Sequence, residues 1–108
     1  MSAYKVEIYQ DRRGKSPFED WVNALRDSRA QAAIDSRLRR ISLGNLGDHK
    51  SVGDGVSELR LATGPGYRVY FGRVGNTVIL LLCGGDKSTQ SQDIAKAKAY
   101  WLDYKERS

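Results

Sequence analysis

Residues 77–83 read TVILLLC, a run without polar alternation, and a segment like that has few places to go. It is far shorter than the roughly 20 apolar residues a membrane-spanning helix needs. Bounded by the turn residues VGN at 74–76 and by GG at 84–85, it predicts a strand apolar on both faces. Such a strand sits inside a sheet, and the rest of the chain must supply its neighbours.

Two neighbours precede it. Leu59 and Leu61 share a face, TGPG at 63–66 turns the chain, and Tyr67, Val69 and Phe71 continue that face, giving a three-strand meander. At 4–10, YKVEIYQ alternates Tyr4, Val6 and Ile8 against Lys5, Glu7 and Tyr9, the period of a half-buried strand. The stretch 48–55, DHKSVGDG, has no periodicity and reads as a loop.

The helices announce themselves by caps and period. SPFE at 16–19 is a capping box with proline at the first helical position, and Phe18, Trp21, Val22 and Leu25 repeat at helical spacing. Ser28 is the expected cap of a second helix with Ala30, Ala33, Ile34, Leu38 and Ile41 on its inner face, stopped at Gly44. So short a link predicts an antiparallel helix pair. A third helix carries Ile94, Ala97, Trp101 and Tyr104, with Thr89 or Ser91 as its cap. The predicted architecture is one α+β domain over residues 1–108, order β-α-α-β-β-β-α, with an antiparallel-rich sheet packed against helices.

Charge narrows the function. Eighteen Lys+Arg stand against thirteen Asp+Glu, and the surplus lies mid-chain: Arg29, Arg37, Arg39, Arg40 and Lys50 oppose only Asp35 and Asp48, and Arg60, Arg68 and Arg73 oppose only Glu58. A basic middle is compatible with a polyanionic partner and equally with a charged surface kept for solubility. One cysteine, Cys83, and one histidine, His49, rule out an intrachain disulfide and a Cys/His metal cluster. Cys83 reads as a buried small hydrophobe and His49 as a solvated loop residue. With no apolar leader at the start of the sequence, a cytoplasmic location without membrane attachment is expected.

Arg60 and Arg68 lie on the strand face opposite Leu59, Leu61, Tyr67, Val69 and Phe71. Pairing brings them directly across from one another or diagonally adjacent, where like charges repel and a third charge is expected; Glu58 shares their face. One reading is a solvated Arg/Glu ladder of little energetic value. The other is a pair of guanidinium forks presented to phosphate, with Tyr70 between them to stack on a base. GGDKSTQ at 84–90 leaves a strand and enters a helix but fails the phosphate-loop pattern, because Asp86 precedes Lys87 and Leu80 stands where the earlier glycine is needed. Its amides and Lys87 still suit one anion. An arginine-lysine-tyrosine set without metal or cofactor fits RNA scission by the 2′-hydroxyl, where a protein aligns, neutralises and moves protons.

The segments GNLGDHKSVGDGVSELRLATGPGYRVYF, VILLLCGGDKSTQSQDIAKA and PFEDWVNALRD together resemble the addiction-module killer proteins, a HigB-like, phage-protein-related branch of the RelE/ParE toxin superfamily. The resemblance implies the toxin of a type II toxin-antitoxin pair, silenced by a cognate antitoxin of helix-turn-helix type, and a metal-independent endoribonuclease acting on mRNA at the ribosome. By position it implies Arg68 as the sheet arginine at the scissile phosphate, Lys87 as base or charge stabiliser, and Arg60 beside them. RNA contacts are expected from Tyr70, Arg39, Arg40, Lys50, Arg73 and Gln90. Ser88 and Ile94 stand where many RelE-like toxins carry an arginine and a tyrosine, which keeps two alternatives open: a ParE-like toxin acting on DNA gyrase, or a catalytically weak antitoxin-binding co-repressor.

Overall fold

The computed structural model describes residues 3–108. Five strands form one sheet: β1 (Lys5–Ile8), β2 (His49–Gly53), β3 (Val56–Arg60), β4 (Arg68–Val74) and β5 (Val78–Gly85), ordered β1-β5-β4-β3-β2. Three helices accompany it: α1 (Pro17–Ala24), α2 (Ser28–Ser42) and α3 (Gln90–Arg107), the last entered through a 3₁₀ turn at Lys87–Thr89. β1 runs parallel to β5, and the other pairings are antiparallel.

The apolar run behaves as its composition demands. Ile79 and Leu81 join Leu59, Val69 and Phe71 under Phe18 of α1 and Ile34 and Ile41 of α2. Leu80 and Leu82 turn the other way and join Val56 and Tyr70 under Ala97 and Trp101 of α3. Each such side chain contributes roughly 1.5–3 kcal/mol when taken from water, so a sheet covered on one side only would forfeit several kcal/mol. The result is a sheet held between α1 and α2 on one face and α3 on the other.

Three expectations are corrected. The stretch 48–55 is not a loop: it contains β2 and a two-residue turn, Asp54–Gly55, both residues at positive φ, so the order gains a strand. β2 escaped notice because it is an edge strand held by backbone pairing, with only Val52 apolar; the Asp-Gly pair was its signal. The second helix is capped by Asp27, which accepts from the amides of Arg29 and Ala30, and Ser28 is its first helical residue. The face carrying Arg60, Arg68 and Tyr70 is not open along its length, because α3 lies over much of it. Ser16 caps α1 as expected, accepting from the Glu19 amide. Thr89 stands at the cap position of α3 without a side-chain capping bond. Among the described residues no helix is long and apolar enough to cross a membrane.

Along β4 and β5, Leu82 has no partner: Tyr70 pairs with Cys83 and Phe71 with Leu81. This bulge sets Leu82 and Cys83 both on the α3 side, after which Gly84 faces Trp21 and Gly85 faces Asp93. Cys83 is buried, and burial above all pushes its thiol up to about 12, so it is inert filling.

At the far end of α3, Tyr9 Oη donates to Asp103 Oδ2 at 2.6 Å, and Arg12 and Arg107 reach the same carboxylate at 3.2 and 2.9 Å. A methyl group at Gly72 would overlap the Trp101 indole, so Gly72→Ala lowers stability in urea denaturation by about 1–3 kcal/mol. Burial, then the bond to Asp103, raises the Tyr9 phenol from 10.0 to about 12. The folded chain thus holds that proton more tightly, and the stabilisation is complete below pH 10 and lost as pH rises through about 12. Wild type and Tyr9→Phe therefore converge in stability across that alkaline window.

Candidate functional site: a basic cleft at the end of the β3–β4 hairpin

α2 presents Ala33, Ser36, Arg37 and Arg40 at helical spacing toward the ends of β3 and β4. With Asp48, Arg60, Thr63, Gly66, Arg68 and Lys87 these residues line an open cleft of about 720 Å³. Five of them are cationic. Asp48 is the carboxylate at the wall, and Glu58 lies behind, ion-paired with Arg68. Five cations against two carboxylates leave an excess of three.

The cations are held differently. Arg37 is spent on the backbone: it donates to the carbonyls of Leu46, Asp48 and Arg60 at 2.6–3.2 Å. Burial pulls its pKa down while Asp48 opposes that shift. It fixes the start of β2 against the end of β3. Arg60 reaches Asp48 at 3.2 Å, and its Nε is buried without a partner. Arg40 and Lys87 make no side-chain hydrogen bond or ion pair among the described residues, and both are exposed.

Arg68 and Arg60 face each other directly across the strand pair, the closer of the two arrangements that their spacing allows. The expected third charge is Glu58, 2.8 Å from Arg68 Nε. Glu58 is 3% exposed, and among the described residues its only other side-chain hydrogen-bond partner is the Gln90 amide at 3.3–3.4 Å. Arg68 Nη1 donates to the Gly66 carbonyl at 2.8 Å, so Nη2 is the nitrogen left for a ligand. Neither reading of the ladder is met in full: the pair is buried rather than solvated, and Arg68 arrives with its charge already matched.

Lys87 is placed by Asp86, whose carboxylate accepts from the Ser88 hydroxyl and amide at 2.5 and 2.8 Å. Those bonds hold Asp86 below the ordinary carboxylate range. The Lys87 amide also reaches the Pro65 carbonyl at 3.3 Å. Gly66, at φ +79°, lies between the two functional groups: a Cβ there would stand 3.2 Å from Arg68 Nη1 and 3.3 Å from Lys87 Cβ. The Gly-Pro-Gly turn is thus the hinge pin that brings β4 and the β5–α3 turn to one cleft.

Of the residues read from the sequence, Arg40, Arg60, Arg68 and Lys87 are gathered here. Tyr70 is a correction: it is fully buried under α3 and has no open ring face for a base. Burial, then the carboxylates of Glu58 and Asp93, raise its pKa, so it stays protonated. Gln90 is engaged with Glu58. Arg39 pairs with Asp35 at 2.5 Å on the outer side of α2, Arg73 lies over the Tyr4 ring at 5.4 Å, and Lys50 sits exposed on β2; none of the three lines the cleft. Arg37 and Ser36 were missed, although their spacing from Arg40 on one helix face was a usable signal. His49 is exposed as expected, but on β2. Among the described residues no three His, Cys, Asp and Glu side chains gather to hold a metal ion.

Because Glu58 and the Arg68 side chain are 4% and 13% exposed, removing one partner strands the other. Glu58→Ala therefore costs about 3–5 kcal/mol, and Glu58→Leu combined with Arg68→Met recovers most of that loss in urea denaturation.

No protein-family model matches the chain. A protein of Haemophilus influenzae, described as an uncharacterized protein, is 51% identical over 81 residues, which is 75% of this chain and 82% of that protein. This chain belongs to the same protein family as that Haemophilus influenzae protein.

Proposed function

We propose that the chain is the toxin of a type II toxin-antitoxin module, an endoribonuclease of the RelE/ParE superfamily that cuts mRNA in the basic cleft without a metal ion. The observation that carries this reading is the cleft's excess of three cations on rigid elements, joined to the resemblance of the segments around Arg68 and Lys87. An RNA strand offers one phosphate per nucleotide, and fixed guanidinium and ammonium groups favour it strongly at low salt.

In this reading the 2′-hydroxyl gives up its proton to solvent as its oxygen bonds to the neighbouring phosphorus, and the P–O5′ bond breaks, the 5′-oxygen taking a proton from solvent to leave as a hydroxyl. Lys87 and Arg68 Nη2 stabilise the charge that grows on the phosphorane oxygens. Arg40 and Arg60 hold the flanking phosphates, and alignment of the attacking oxygen supplies much of the rate. Glu58 acts through Arg68: it fixes the fork so that little reorganisation is needed as charge develops. A cognate antitoxin of helix-turn-helix type would be the natural silencer, and mRNA on the ribosome the target.

One observation favours the second reading, a ParE-like toxin acting on DNA gyrase or a weak co-repressor. Arg68 is already neutralised by Glu58, and Ser88 and Ile94 occupy the places of a second arginine and a tyrosine.

Inducible expression without the adjacent antitoxin frame separates these. The ribonuclease reading expects growth arrest with new RNA 5′ ends inside coding regions. Arg40→Ala/Lys87→Ala abolishes both and, since both residues are exposed, shifts stability by no more than about 0.5 kcal/mol per site. A folded double variant that stays fully toxic ends the cleft assignment, and arrest with DNA damage but intact transcripts selects the gyrase alternative.

A further inference from the structure

A second cavity, about 300 Å³, opens where β1 stops. β1 pairs with β5 only as far as Leu81, so the edge of β5 from Cys83 to Gly85 has no strand on that side. Trp21 of α1 and Lys96 and Tyr100 of α3 line the opening, together with Gly84, Gly85, Thr89 and Asp93. Tyr100 is steadied by stacking on Tyr9 at 5.2 Å, and Trp21 is set edge-on to Tyr67 at 6.0 Å.

Asp93 is the unusual member. Only 8% of it is exposed, yet no Lys or Arg forms an ion pair with it among the described residues. Its carboxylate accepts one side-chain hydrogen bond, from Thr89 Oγ at 2.6 Å to Oδ2. It lies so close over Gly85 that any side chain there would overlap it. A buried carboxylate with one donor is under-satisfied, since its two oxygens offer about four acceptor sites. Asp93 thus keeps acceptor sites that no protein donor fills among the described residues, in a cavity that Trp21, Tyr100 and the exposed Lys96 also line.

We propose that this cavity receives a guanine base from the strand whose phosphates occupy the basic cleft, an inference that rests on the RNA reading above. Guanine presents two adjacent donors, N1–H and the 2-amino group, to two carboxylate oxygens. Adenine would turn its N1 lone pair toward Asp93, uracil flanks its one donor with carbonyls, and cytosine pairs one donor with an acceptor. Splayed single-stranded bases are held in this way, by aromatic stacking and edge hydrogen bonds. The size, at the small end of ligand sites, suits one planar ring system. The two are neighbours along the chain: Asp86 lines the cavity and the next residue, Lys87, lines the cleft.

The test titrates the full chain with GMP, IMP, AMP and UMP, following tryptophan fluorescence and heat. GMP is expected to bind best and to quench Trp21; IMP, which lacks the 2-amino group, binds about tenfold more weakly. Asp93→Asn abolishes the preference for GMP over IMP; should that variant fail to fold, the wild-type nucleotide series decides alone. Equal binding of the four nucleotides, or none, overturns the proposal. A uridine-only RNA, titrated over a range of salt, tests the cleft separately. RNA bound with a steep salt dependence but no base preference overturns the guanine pocket and leaves the cleft reading standing. GMP selectivity without RNA affinity supports the pocket and sinks the cleft.

Discussion

The architecture depends on one demand: both faces of β5 must be kept dry. Ile79 and Leu81 on one side and Leu80 and Leu82 on the other oblige the chain to place helices on both sides of a sheet only five strands wide. Close approach then becomes a requirement of its own. Trp101 rests on Gly72, Trp21 on Gly84, and the Asp93 carboxyl on Gly85. At each of these places the helix side chain occupies the volume a strand side chain would otherwise fill, which is how interiors reach crystalline packing density.

Burial also decides how the arginines are used. Three guanidinium groups converge near the end of β3, but one serves backbone carbonyls, one a buried glutamate and one an exposed aspartate. Taking two charges from water is costly unless geometry repays it, so the Arg68–Glu58 pair makes better sense as a device for orientation than as a source of stability. The groups left with free charge are those at the cleft mouth, Arg40 and Lys87. Any polyanion entering would meet these exposed cations first and the Arg68 fork behind them.

Much of this was legible in advance because local chemistry fixed it. The serine cap of α1, the apolar faces of the helices, the meander and the shared face of Arg60 and Arg68 all follow from short-range spacing. What escaped notice has a common cause: alternation tells which side chains share a face, but not whether that face is covered. Tyr70 and Glu58 look like surface residues until α3 is laid across them. β2 escaped for the complementary reason, since an edge strand paired through its backbone needs little apolar patterning. Arg37 reads as one more surface charge, and only the folded path of residues 46–48 supplies the carbonyls that claim it.

The unmatched Leu82 sets the phase of everything downstream of it. In an unbroken strand, consecutive residues alternate sides; here two in a row point to α3, and the parity of Gly84, Gly85 and the turn that follows is inverted. Insertion or loss of one residue upstream of the glycines would exchange the roles of the two, sending the carboxyl-facing position toward the indole. The count of residues between the apolar run and the lysine turn therefore carries structural information of its own, because it decides which glycine meets which helix.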